Sequence, residues 1–244
     1  MGIESGPKIE LGLGSGNWRE EMWLEIFDKA RKRGKIRHAR VGDWEFDYAL
    51  INPKDRYGSD RKSTTGEQYQ YTGDTVTFWI KDAEKEGRIG LNEGDTSFVL
   101  ENEVPEKFRD LIGLHEFVEA KIGKEKHAEA CYVELSELFK NEEQFIEEYA
   151  TWLFSKFGDS IKKKDLEKLQ RGYFGRAIPE FIQYLVDTSD NPVQVLRKFR
   201  TELEQRLSTT LAESGEKVES VINTIKDKVL KKNLPPSSAE SSNP

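Results

Sequence analysis

The apolar period of this chain turns from that of strands to that of helices between about residues 101 and 105, and that change decides which class of fold is open to it. Upstream, "DWEFDYALI", "DTVTFWIKD" and "TSFVLEN" are short aromatic or β-branched runs between glycine and aspartate turns, and Trp44, Phe46, Tyr48 and Leu50 alternate onto one side of the first run. Downstream of Pro105 the apolar spacing is three and four almost to the end. Strands gathered in one part of a chain and helices in the rest describe an α+β protein, not an alternating α/β one. The expected order is an N-terminal helix, a small antiparallel sheet of three strands, and a mostly helical C-terminal half. The first helix is expected from about Asn17 to Arg33, capped by Asn17 and stopped by Gly34, with Trp18, Met22, Ile26 and Ala30 as its stripe.

The helical half divides at glycines and prolines. "EKFRDLIGLHEFVEAKI" ends at Gly123, "KHAEACYVELSELF" follows, and "EEQFIEEYATWLFSKF" ends at Gly158. "KKDLEKLQRG" is short, and "IPEFIQYLVDT" and "NPVQVLRKFRTELEQRLSTTLAE" each open on a proline. "EKVESVINTIKDKVLKK" is the last helix. The spacing predicts a glycine-rich flexible leader over 1–16, a core over 17–190, a helical hairpin or arm over 191–232, and a disordered tail over 233–244. Val195, Leu196, Phe199, Leu203 and Leu207 form the stripe that would close the hairpin or dock a protein partner.

Charge narrows the function. The 244 residues carry 45 acidic and 38 basic side chains, a net charge of −7, which argues against general coating of nucleic acid. A local basic run, "KARKRGKIRHAR" over 29–40, could contact phosphates or be the solvated end of a helix. No apolar stretch reaches the length of a membrane span and no signal peptide is visible, so no membrane partner is expected. Cys131 is the one cysteine, which suits a reducing, cytoplasmic compartment.

The chemistry concentrates in "LIGLHEFVEAKIGKEKHAEACYVEL", residues 111–135. At about 100° per residue, Phe108, Leu111, Ile112, Val118 and Ile122 fall within roughly 60° of His115, and so does Glu119. Two ionisable side chains therefore lie in a stripe that should be buried, where a carboxylate is costly unless it is paired or ligates a metal. The i, i+4 spacing stacks His115 and Glu119 one turn apart, as two ligands of one ion would be. Glu116 lies at the stripe's edge, from which it could act on a water at the metal without ligating it. Gly123 lets the chain reverse and bring back His127, whose own stripe holds Cys131, Glu134 and Leu138. Two histidines and a carboxylate make a catalytic zinc set with one position open. The bland alternative is a charged helix whose Glu119 pairs with a basic side chain.

"HEFVEAKIGKEKHAEACYVEL" resembles the zincin-like metallopeptidases, in the divergent bacterial and phage versions that read H-E-x-x-E, a glycine and then a histidine. The resemblance covers about twenty-five residues, and Glu119 stands where the second histidine usually stands. It implies a zincin-like core, Zn2+ held by His115, Glu119 and His127, Glu116 as general base, and hydrolysis of peptide bonds in a peptide or protein substrate. Cys131 or Glu134 could instead complete a closed, structural site. The protein would then be a non-catalytic interaction protein, binding a protein or nucleic acid through its helical arm and basic patch. A strand upstream of such a helix could hold an extended peptide by strand addition, and "TSFVLEN" is the expected one.

Overall fold

The computed structural model describes residues 18–52, 89–93, 96–123, 126–214, 223 and 226. The expected leader, the strand within "DTVTFWIKD", almost all of the last helix and the tail lie outside the described residues.

The first helix, α1 (Trp18–Lys32), ends where Gly34 takes a φ of 66°, a left-handed conformation that glycine adopts without steric cost. Strands β1 (Ile36–Val41) and β2 (Trp44–Ile51) form an antiparallel hairpin. Gly42, with φ 58°, supplies the positive φ that its two-residue turn needs at the first position. β3 (Gly90–Glu93) pairs antiparallel with β4 (Thr96–Leu100). β2 and β4 run parallel, Ala49 opposite Phe98 and Ile51 opposite Leu100, so the sheet is mixed and not wholly antiparallel. Its order is β1-β2-β4-β3. β4 is therefore an interior strand, buried at all five residues with both sides paired, and "TSFVLEN" has no free edge for a peptide. Among the described residues, β3 is the edge strand on that side.

The sheet is covered on both faces, which makes the protein α+β with three layers. On one face Ile26 and Ala30 of α1 pack with Ala49, Ile51, Phe98 and Leu100. On the other, the alternating set Trp44, Phe46, Tyr48 and Leu50 joins the larger core built by the later helices. Among these helices, α2 (Arg109–Ile122) lies directly on the sheet and follows a 3-10 turn at Glu106–Phe108. Gly113 makes its close approach possible, because a Cβ there would come within 2.7 Å of the Tyr48 ring. The Tyr48 hydroxyl donates to Asp110 Oδ1 at 2.7 Å and fixes the same contact from its far end.

The remaining helices are α3 (His127–Leu138), α4 (Glu143–Lys162), α5 (Leu166–Arg171), α6 (Tyr173–Ala177), α7 (Phe181–Thr188) and α8 (Pro192–Ser214). α4 runs on through Gly158 instead of ending there, and the added turn buries Ile161. A single interior glycine costs only about 1 kcal/mol, less than burying one large aliphatic side chain gains. α8 is not a detached arm. Val195, Leu196, Phe199 and Leu203 are fully buried, and the Phe199 ring lies 5.0 Å from Phe174 and 4.9 Å from Phe181. The core thus extends past residue 190. No helix among the described residues is long and apolar enough to cross a membrane.

The basic run sits on the end of α1 and on β1, and acids meet it. Lys35 pairs with Glu101, Arg37 with Glu106, His38 with Asp47 and Arg40 with Glu45, while Lys29 and Arg31 pair within α1.

Candidate metal centre

Five elements meet at one buried cluster. α2 supplies His115, Glu116 and Glu119, and the turn at Gly123 returns the chain so that α3 adds His127, Cys131 and Glu134. β3 contributes Asn92, α4 contributes Tyr149, and α6 contributes Tyr173 and Arg176. His115, Glu119 and His127 are each 3–4% exposed and Glu134 is 0% exposed, so none is satisfied by bulk water.

The far nitrogens of both imidazoles meet acceptors that cannot donate. His115 Nδ1–H donates to Glu134 Oε2 at 2.8 Å. His127 Nε2–H donates to the backbone carbonyl of Tyr173 at 3.1 Å. A carbonyl oxygen and a carboxylate can only accept, so the proton of each ring must be on that side. The near nitrogens, His115 Nε2 and His127 Nδ1, then face each other at 3.2 Å. Glu119 Oε1 lies 3.5 Å from His115 Nε2 and also contacts His127 Nδ1. Three lone-pair donors thus converge in a dry interior, an arrangement that needs a proton or a cation between them. Ligands about 2.0–2.1 Å from a tetrahedral ion stand about 3.3–3.4 Å apart; the 3.2 and 3.5 Å separations lie near that edge, whereas Glu119 Oε1 and His127 Nδ1 stand closer than it, as two groups sharing a proton do.

Cys131 gives a second choice of donor. His115, His127 and Cys131 each offer a ligand atom within 4.8 Å of the others, and this buried group could hold a metal ion. Cys131 Sγ is 3.5 Å from His127 Nε2, on the opposite side of that ring from Glu119. Two donor sets therefore share the histidines, one completed by Glu119 and one by Cys131.

The other acids play different parts. Glu134 accepts from His115, from the Tyr149 hydroxyl and from the Tyr173 hydroxyl at 3.0 Å. It sits on the far nitrogen of His115, across the ring from Glu119, so it orients the imidazole and is not aimed at an ion on the near side. Glu116 is beside the cluster, at the edge where the helical wheel expects it. Asn92 Nδ2 donates to Glu116 Oε2 at 2.8 Å and to Glu119 Oε2 at 2.6 Å, bridging the two carboxylates from the edge strand. Gly90 lets that strand close on the helix, since a Cβ there would meet Glu116 Cγ and Oε1 at 2.6 Å. The basic partner that the charged-helix alternative asks for is also present: Arg176 Nη2 donates to Glu119 Oε1 at 3.3 Å.

Protonation follows this geometry. Burial alone would depress His115, but its bonds with Cys131, Glu119 and Glu134 outweigh it and hold the imidazole well above the ordinary range. His127 is likewise raised to about 9 against the effect of burial, chiefly by Cys131 and Glu119. Burial would lift the Glu119 carboxyl, yet the two histidines pull it far below its usual value. Glu116 moves the other way: desolvation raises it, with the Glu119 charge adding to the effect. Cys131 is lowered despite burial by the charge of His127. Without an ion the cluster is held by protons on the histidines, and an ion takes those protons' place when it binds.

Asn92, Tyr149, Tyr173 and Arg176 were not part of the site read from the sequence. Of these only Tyr149 had a sequence signal, its place on an amphipathic helix. No family model, curated protein or solved structure matches the chain.

Proposed function

We propose that the protein is a zinc-dependent hydrolase of peptide bonds, with Zn2+ held by His115, Glu119 and His127 and with Glu116 as general base. The observation that carries this reading is the pair of imidazoles whose far nitrogens are committed to Glu134 and the Tyr173 carbonyl, so that both near nitrogens face Glu119. Histidine and carboxylate donors suit zinc. A bound zinc ion supplies Lewis acidity, lowering the pKa of water and polarising a carbonyl. Glu116 accepts the proton of the attacking water and passes it to the leaving amine. Its raised pKa brings it toward the range in which a carboxyl group can both take and return a proton. Asn92 holds Glu116 beside Glu119.

A second reading has its own observation. Cys131 is fully buried against His127, and a site closed by His115, His127 and Cys131 would be structural, in a protein that acts by binding a partner. The internal ion pairs of the basic run and the burial of the α8 stripe leave neither as the favoured contact surface.

Metal analysis of the purified chain and two variants separates the readings. Under the catalytic reading one zinc co-purifies, Glu116→Gln retains it while cleavage of a peptide pool falls at least a hundredfold, and Cys131→Ser retains it too. Loss of zinc in Cys131→Ser, with retention in Glu119→Gln, selects the structural site. Failure of the chain to bind zinc at micromolar concentration refutes both.

A further inference from the structure

We propose that Arg176 is the ligand-binding arm of this site and that the ligand carries a carboxylate, which Arg176 grips beside the ion. The inference rests on the metal reading above and adds the class of molecule bound. Arg176 projects from the short helix α6 and is paired with an acid of the cluster. Its side chain is 41% exposed while its partner Glu119 is 3% exposed, so the guanidinium spans from solvent to the interior. It already holds a carboxylate there, through a single contact from Nη2 to Glu119 Oε1 at 3.3 Å.

That contact is exchangeable. The oxygen Arg176 holds is the one that also faces both histidines, so an ion seated among them competes for it directly. An ion that takes Glu119 Oε1 leaves the guanidinium without that acceptor, beside a site whose positive charge has risen. A planar fork next to a divalent cation is matched by a carboxylate, which can accept two parallel N–H bonds. A substrate ending in a free carboxylate next to its scissile bond would satisfy both groups. The anchoring is the protein's own, because α6 is fixed by Tyr173, whose hydroxyl reaches Glu134 and whose carbonyl holds His127.

The test uses the full chain loaded with Co2+, whose visible spectrum reports its ligands. Wild-type protein and Arg176→Gln are titrated with N-acetylglycine and with its neutral amide. The expected result is a spectral shift with the carboxylate and not with the amide, an affinity at least tenfold weaker in Arg176→Gln, and an intermediate value in Arg176→Lys. Co2+ affinity itself should be unchanged or higher in Arg176→Gln, since a cation that competes for Glu119 has been removed. Equal affinity of both proteins for N-acetylglycine overturns the proposal and leaves the metal site standing. Weaker Co2+ binding in Arg176→Gln also overturns it, because the arginine would then be holding the site together. Absence of Co2+ binding in the wild type refutes this proposal and the metal reading at once.

Discussion

Replacing Glu134 with glutamine changes no volume and tests the orientation of His115 directly. The carboxylate accepts three bonds, from His115 Nδ1 and from the hydroxyls of Tyr149 and Tyr173, and it is fully buried. A hydrogen bond to a charged group contributes about 1.5–3 kcal/mol and a neutral one about 0.5–1.5. Losing the charge therefore weakens three bonds by about 1 kcal/mol each, offset in part because a neutral amide is cheaper to bury. A net loss of about 1–3 kcal/mol in folding stability is expected. The ion should feel a separate effect. A glutamine oxygen is a poorer acceptor from Nδ1–H, so the His115 tautomer is less firmly set and Nε2 is less basic. Removal of such an outer carboxylate typically lowers affinity by about 10–100-fold, or about 1.4–2.8 kcal/mol. Zinc affinity by competition with a chromophoric chelator, paired with thermal unfolding of the metal-free protein, measures both quantities. A folded Glu134→Gln protein that binds zinc within about threefold of wild type would refute the claim that Glu134 sets the histidine.

Three further outcomes follow from contacts outside the ligand set. Gly113→Ala should cost about 1–3 kcal/mol or more, because its Cβ would lie 2.7 Å from the Tyr48 ring between α2 and the sheet; chemical denaturation measures it. Asn92→Ala should leave the two carboxylates without their shared donor, lowering the stability of the metal-free protein by about 1–3 kcal/mol and making added zinc raise the melting temperature more than in wild type. Glu101 gives a pH signature: partial burial would raise its carboxyl, but Lys35 and Asn52 outweigh this and lower it. Its folded pKa lies below the reference of 4.5, so the stability it adds is present above that value and is lost as pH falls through the folded one. Glu101→Gln should therefore be less stable by up to about 1 kcal/mol at pH 7, with the gap closing in acid unfolding below pH ~4.

The heart of the site was legible because it obeys local rules. His115 and Glu119 stand out as polar residues in an apolar helical stripe, and His127 follows the glycine that reverses the chain. Both prove buried. The strand alternation of Trp44, Phe46, Tyr48 and Leu50 was legible for the same reason, a period set by backbone geometry. What was missed depends on distant parts of the chain meeting. β3 is four residues, "GLNE", too short and polar to show a period, yet it carries Asn92. α6 is five residues after a glycine and looks like a loop, yet it carries Tyr173 and Arg176. β1 holds Arg37, His38 and Arg40, and within the basic run their charges mask the alternation of a strand. Such charges are also what a sheet edge uses to discourage further pairing. The parallel join of β2 to β4 could not be read from either strand, since each could pair in either direction.

The two hydrogen bonds that aim the histidines have a kinetic consequence. His115 and Glu134 are 19 residues apart in sequence, and His127 and the Tyr173 carbonyl are 46 apart. An unfolded chain keeps only the neighbouring donors on a nascent helix, so its hold on an ion is weak, and the complete site exists only after α2, α3 and α6 have docked. Such long loops are closed late, because their entropy is lost before their contacts form. Bound metal should accordingly slow unfolding far more than it speeds folding, which appears as a shift of the unfolding limb in a chevron plot with the refolding limb almost unmoved.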